Sequence, residues 1–275
     1  MHSRTRILTV LGLTIIGLPA IIYGGVFYYL LMGTFLVGGA WEYVRLFRAV
    51  QHEPNEIVTV GGVLVIATAR FFFPETAMPF FVILILLAMT VHLIAFERGR
   101  NEAAVDFSIT AAGIVYLGWI GSYLLDLRQL PQGLWWWFLV LPIVWAGDTG
   151  AYSIGSVYGK HKMTPRLSPK KSWEGYFAGL FTSVLIGAFF SYAFSSMGPW
   201  TPLGGLIDPI QGAMLGLFIG AVAPLGDLGE SMLKRQSGLK DSSNVFPGHG
   251  GFLDRIDSWI WGASIGYFII YFFIL

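Results

Sequence analysis

Long apolar runs follow one another along this chain with only short polar connections, and that pattern restricts what it can fold into. About 20 apolar residues match the hydrocarbon thickness of a bilayer. Nine such runs can be drawn: 6–22, 24–47, 57–73, 78–97, 107–126, 134–158, 174–195, 209–235 and 258–275. They are continuous rather than alternating in polarity. In lipid every main-chain polar group must be satisfied within the protein, so helices are expected rather than a barrel. Composition agrees, since 55% of the 275 residues are hydrophobic and only 12% are charged, against about 25% in a soluble globular domain. The expected fold is all-α, a polytopic integral membrane protein with about nine transmembrane helices. A single membrane domain, 1–275, is expected. Its spans up to residue 130 would be scaffold, and 131–275 a catalytic half with cytoplasmic loops 159–173 and 236–257.

The basic residues test that count. With the N-terminus inside and the loops alternating, fifteen of the seventeen lysines and arginines fall on the inner side, leaving only Arg70 and Arg128 outside. Such a bias follows the positive-inside rule, and one missed helix would scramble it. Trp135, Trp136 and Trp137 open span six on the opposite side, where an aromatic belt is expected. The first run follows Arg4 and Arg6 as in a signal peptide, but no small-residue cleavage site is evident, so it reads as a retained span. The C-terminus then lies outside. A net charge of +1 gives no bulk attraction to nucleic acid, and the absence of cysteine excludes disulfides and thiolate metal sites.

Polar chemistry is confined to a few places. In span eight, Gly212, Gly216 and Gly220 lie four apart and share a helical face suited to close packing. Pro224 then removes an amide donor near Asp227 and Glu230, where the backbone is expected to open. The following loop gathers Lys234, Arg235, Lys240, Asp241, His249, Asp254, Arg255 and Asp257 around four glycines. Carboxylates are hard oxygen ligands of the kind Mg²⁺ prefers, and basic groups beside them suit phosphates. Solvated acids at a helix start and topology-setting bases would explain some of these charges, but not their combination with His249-Gly250-Gly251. Asp148 sits within span six, about ten residues from its inner end. A carboxylate at such depth costs about 2.5–3.5 kcal/mol on insertion scales and marks either a functional site or a buried ion pair. Lys170, Lys171 and Ser172 precede the start of span seven, where a helix N-terminus with lysines beside it suits an anion.

At these residues a resemblance becomes specific. The stretch from Ser231 to Asp257 resembles the signature of the phosphatidate cytidylyltransferase (CDP-diacylglycerol synthase) family. Its elements occur here in order as Ser231, Lys234-Arg235, Lys240-Asp241, His249-Gly250-Gly251 and Asp254-Arg255 with Asp257. The family's upstream block is similar to Asp148, Ala151-Tyr152 and the run Ser168 to Gly175, with Gly147 standing where alanine is expected. The pair Trp41-Glu42 in span two is also family-like.

The resemblance implies an enzyme that condenses CTP with phosphatidic acid to give CDP-diacylglycerol and pyrophosphate at the bilayer surface. It implies catalytic roles for Asp227, Lys234, Arg235, Lys240, His249, Asp254, Arg255 and Asp257. Metal ligation by Asp227, Asp254 and Asp257 is expected, with Mg²⁺ as cofactor and room for a second cation. Substrate contacts are expected from Asp148, Ser168, Lys170, Lys171, Ser172, Glu174, Ser231, Asp241, Gly250 and Gly251. The implied setting is the inner membrane of the cell with a cytoplasmic site, with a homo-oligomer left open. Two other readings remain at this point: a polyprenol-type lipid kinase, distinguished by transfer of the γ- rather than the α-phosphorus, and a membrane transporter. The glycine-rich aspartate motif of CDP-alcohol phosphotransferases is absent.

Overall fold

The computed structural model describes residues 2–196, 202–239, 242–243, 245–246 and 250–275, with side chains from residue 11 onward. Lys240, Asp241 and His249 therefore lie outside the described residues. The described chain is almost wholly helical: α1 (His2–Tyr23), α2 (Gly25–Arg48), α3 (Glu56–Phe72), α4 (Ala77–Glu97), α5 (Ala103–Gly113), α6 (Tyr123–Gln129), α7 (Gly133–Tyr158), α8 (Trp173–Ser196), α9 (Pro209–Val222), α10 (Pro224–Gln236) and α11 (Leu253–Phe273). The apolar runs fall largely on helix. Among the described residues, five helical stretches, Pro74–Glu97, Ala103–Gln129, Trp173–Ser196, Pro209–Gln236 and Leu253–Phe273, are long and apolar enough to cross a membrane. Large side chains such as Phe27, Ile83, Leu86, Phe181 and Phe273 stand exposed, as suits a surface that faces lipid. The chain is an all-α membrane protein.

Two runs are less regular than their hydropathy suggests. Span eight is two helices, α9 and α10, joined at Ala223, because Pro224 has no amide to continue the ladder. Span five passes from α5 through a π-helical segment, Ile114–Ile120, into α6. The polar stretch after α7 is not a plain loop. It forms an antiparallel hairpin of β1 (Lys162–Thr164) and β2 (Ser168–Ser172), pairing Lys162 with Ser172 and Thr164 with Ser168.

The chain divides into two compact units. The first holds residues 1–126 and 233–256. Its core includes Val58, Ile66, Leu84, Ala88 and Ile114. Tyr28 and Tyr43 tie its helices by donating to the carbonyls of Leu124 (2.6 Å) and Ile109 (3.1 Å). Arg70, an exception to the charge bias, is paired with Asp126 and lies over the rings of Trp119 and Tyr123.

The second unit holds residues 127–232 and 257–275. Small residues govern its packing. A Cβ on Gly212 or Gly216 would run into the backbone of Gly187 or Ser183 on α8, which is the close helix approach expected of that glycine face. Gly147 and Gly150 of α7 likewise meet Ser183 and Thr182, and Ser183 donates to the Ile143 carbonyl at 3.1 Å.

Candidate active site

Helical spacing on α10 aligns Asp227, Glu230, Ser231 and Lys234 along one face, since residues three, four and seven apart are neighbours. In the second unit that face meets Asp257 of α11. Gly226 permits the approach: a Cβ there would overlap the Asp257 carbonyl. One carboxylate oxygen each of Asp227, Glu230 and Asp257 lies within 4.8 Å of the others, and Glu230 is buried. Ser231 Oγ is 3.4 Å from Asp227 Oδ1.

A lysine completes this group. Successive strand residues face opposite ways, so only one of the paired lysines on β2 can turn toward α10. Lys171 does so, with Nζ 2.7 Å from Asp227 Oδ2 and 3.4 Å from the Pro224 carbonyl, while Lys170 stays exposed. Asp148 on α7 interacts electrostatically with both Asp227 and Lys171. Three oxygen donors at this spacing fit a divalent cation of the hard type.

Ser172 and Glu174, expected to touch substrate, have local partners. Ser172 Oγ accepts from the Gly175 amide at 3.2 Å at the start of α8. Glu174 accepts from His161 Nδ1 at 2.6 Å and closes the hairpin. Ser168 opens β2 opposite Thr164.

In the first unit, the glycine-rich segment leads into α11. Phe246 N donates to the Gly250 carbonyl at 2.9 Å, and Phe35, Phe246 and Phe252 form a three-ring cluster with centroids 4.9–5.8 Å apart. Asp254 is held by four donors: Lys234 Nζ at 2.7 Å, Ser242 Oγ at 2.6 Å, Gly251 N at 2.9 Å and Ser242 N at 3.2 Å. Lys234 and Asp254 are only 13% and 10% exposed. The expected metal ligand Asp254 thus has its own set of partners, and Glu230 stands with Asp227 and Asp257 in the acidic cluster. Arg235 is exposed and Arg255 half-buried.

Two residues, Glu230 and Glu42, were named in the sequence without being assigned to the site. Glu230 had a usable signal in its spacing of three from Asp227. Glu42 had one too, as a carboxylate deep in an apolar span. It is fully buried, and donors from residues 242–253 converge on it.

The Cytidylyltransferase family model matches residues 4–273. This chain belongs to the cytidylyltransferase family. It is 36% identical over 264 residues to the phosphatidate cytidylyltransferase of Pseudomonas aeruginosa, covering 93% of this chain and 92% of that one. With the phosphatidate cytidylyltransferase of Synechocystis sp. it shares 30% identity over 300 residues, 98% of this chain and 97% of the other. That of Haemophilus influenzae is 45% identical over 145 residues, 52% of this chain and 48% of that protein. As a cytidylyltransferase the chain is an enzyme of nucleotidyl transfer.

Proposed function

We propose that this cytidylyltransferase condenses CTP with phosphatidate, giving CDP-diacylglycerol and pyrophosphate for phospholipid synthesis. Its relatives over nearly the whole chain carry that name. The observation that carries the reading to residues is the convergence of Asp227, Glu230 and Asp257, with Lys171 set against Asp227.

The chemistry asks little of a protein base. A phosphate monoester has its second pKa near 6, so the lipid phosphate already presents an unprotonated oxygen at neutral pH. That oxygen bonds to the α-phosphorus of CTP, the α–β bridging P–O bond breaks, and its electron pair leaves with pyrophosphate. The protein must bring two anions together and neutralise them, which is positioning and electrostatics. Asp227, Glu230 and Asp257 would hold Mg²⁺, which when bound offsets negative charge on the nucleotide phosphates. This many carboxylates leaves room for a second cation. Lys171 and Lys170 supply positive charge for phosphate on the hairpin. Lys234, fixed by Asp254, supplies it on α10 together with Arg235 and Arg255; Lys240 belongs to the same proposal. Asp148 supports the field around Asp227 and Lys171. Ser231 steadies Asp227, and Ser172 and Glu174 shape the hairpin that carries the lysines. Ser168, Asp241, His249, Gly250 and Gly251 complete the proposed substrate contacts.

The setting is likewise proposed: nine spans in a single membrane domain of the inner cell membrane, the N-terminus and site cytoplasmic, the C-terminus opposite, in a chain able to self-associate. The charge bias of the loops supports that orientation.

The test uses purified protein, Mg²⁺, phosphatidate and CTP labelled at either the α- or the γ-phosphorus. The expected result is α-label in the lipid with release of pyrophosphate, lost when any component is omitted. Label from the γ-position in the lipid would make the chain a lipid kinase and overturn the reading.

A further inference from the structure

Glu42 lies in α2, inside an apolar span, with none of its surface exposed. A carboxylate in such a place is costly unless hydrogen bonds compensate it. Four donor groups meet it, two at each oxygen. Oε1 accepts from Ser243 Oγ at 2.5 Å and Phe252 N at 2.9 Å. Oε2 accepts from Leu253 N at 2.8 Å and lies 2.8 Å from Ser242 Oγ, whose single proton is shared with Asp254. The two amides belong to the start of α11, where a negative charge is favoured.

One of these donors is shared. Ser242 lies against both Glu42 Oε2 and Asp254 Oδ2, at 2.8 and 2.6 Å, and Asp254 in turn receives Lys234. Gly251 fits the same scheme, since its amide donates to Asp254 while a Cβ on it would overlap the Glu42 carboxylate. A side chain two hundred positions or more upstream thus holds both ends of the segment that leads to Asp254, the partner of Lys234.

We infer that Glu42 is a positioning residue for cytidylyl transfer: its side chain clamps Ser242, Ser243 and the first turn of α11, and so fixes the Asp254–Lys234 pair. This rests on the proposed function, because Lys234 is taken there to act on the nucleotide phosphates. The carboxylate is needed as such. In Glu42→Gln, whichever way the amide turns, its NH₂ group faces the backbone N–H of Phe252 or Leu253, and two donors meet.

The experiment compares wild type, Glu42→Gln and Ser243→Ala in the CTP and phosphatidate assay. It also follows hydrogen exchange of the 242–254 amides and detergent-phase thermal melting. Wild-type protein must first form CDP-lipid; its failure to do so would count against the proposed function, not against the clamp. Given that activity, Glu42→Gln is expected to lower kcat at saturating CTP by roughly tenfold or more, the scale of a lost charge-assisted hydrogen bond. Faster exchange confined to 242–254 should accompany the loss. Ser243→Ala, which removes a single hydroxyl, should give a smaller fall in kcat with little change in melting. Folded Glu42→Gln with wild-type kcat would overturn the inference. If Glu42→Gln does not fold, Ser243→Ala decides: lowered kcat in a protein of normal melting supports the clamp, and unchanged kcat ends it.

Discussion

Lys171 Nζ stands 2.7 Å from Asp227 Oδ2, so the ammonium of a hairpin lysine neutralises one member of the acidic cluster. A cation bound by Asp227 and a lysine paired with it compete for one carboxylate. Lys171→Met should therefore have opposite effects on two measurements. Turnover should fall, because a positive charge for phosphate is gone. Divalent binding, followed by paramagnetic titration with Mn²⁺, should tighten. The pair is partly exposed, at 26% and 42%, so the gain should be no more than severalfold. Weaker Mn²⁺ binding in this variant would show that Lys171 supports the cation site instead of competing with it.

Glu230 is buried and lies one helical turn from Asp227 in the cluster. Affinity for a hard cation follows the number and charge of its oxygen ligands. Glu230→Gln keeps the shape and removes one charge. Mn²⁺ affinity should drop roughly tenfold or more, with turnover falling alongside and yield in membranes unchanged. A variant that binds Mn²⁺ as tightly as wild type would remove Glu230 from the ligand set.

The cluster also marks what the sequence could and could not disclose. Apolar runs located the helices because lipid sets their length, and Pro224 flagged the break between α9 and α10 because a missing amide is a local property. Gly212 and Gly216 foretold a close helix contact for the same reason. The hairpin was hidden, since Lys162 pairs with Ser172 through backbone geometry that hydropathy does not record. Asp254 and Glu230 have equal claim as ligands on spacing alone. The structure gives them different neighbours: donors gather on Asp254, and Glu230 converges with Asp227 and Asp257. Glu42 stood out in the sequence only as part of the family-like Trp41-Glu42 pair, and its partner Ser242 is 200 positions away.

Arg70 and Asp126 form a pair only 10% and 14% exposed, and Arg70 also donates to the Trp119 carbonyl at 2.8 Å. Removing one partner of such a pair costs about 3–5 kcal/mol by stranding the other charge, whereas replacing both with apolar groups is often neutral. Arg70→Met and Asp126→Leu should each lower the melting temperature in detergent. The double variant should recover most of the loss, with kcat unaffected in whatever folds. A double variant as unstable as the singles would mean that the cation–π contacts of Arg70 with Trp119 and Tyr123 dominate its contribution.

Gly251 and Gly61 offer a matched comparison within the first unit. An added methyl at Gly61, in the middle of α3, meets nothing within 4 Å. Gly61→Ala should therefore leave stability unchanged or raise it by about 0.4–1 kcal/mol, since alanine loses less conformational freedom on folding. At Gly251 the same methyl would overlap both oxygens of the Glu42 carboxylate, which two backbone amides and two serine hydroxyls already hold. Neither side has room to yield, and overpacking of this kind costs about 1–3 kcal/mol. Gly251→Ala should lower the melting temperature and depress turnover together, because the displaced amide is also the one that donates to Asp254. Wild-type turnover in Gly251→Ala would show that the segment tolerates a shifted Glu42, and that the spacing between these two carboxylates is not what this glycine preserves.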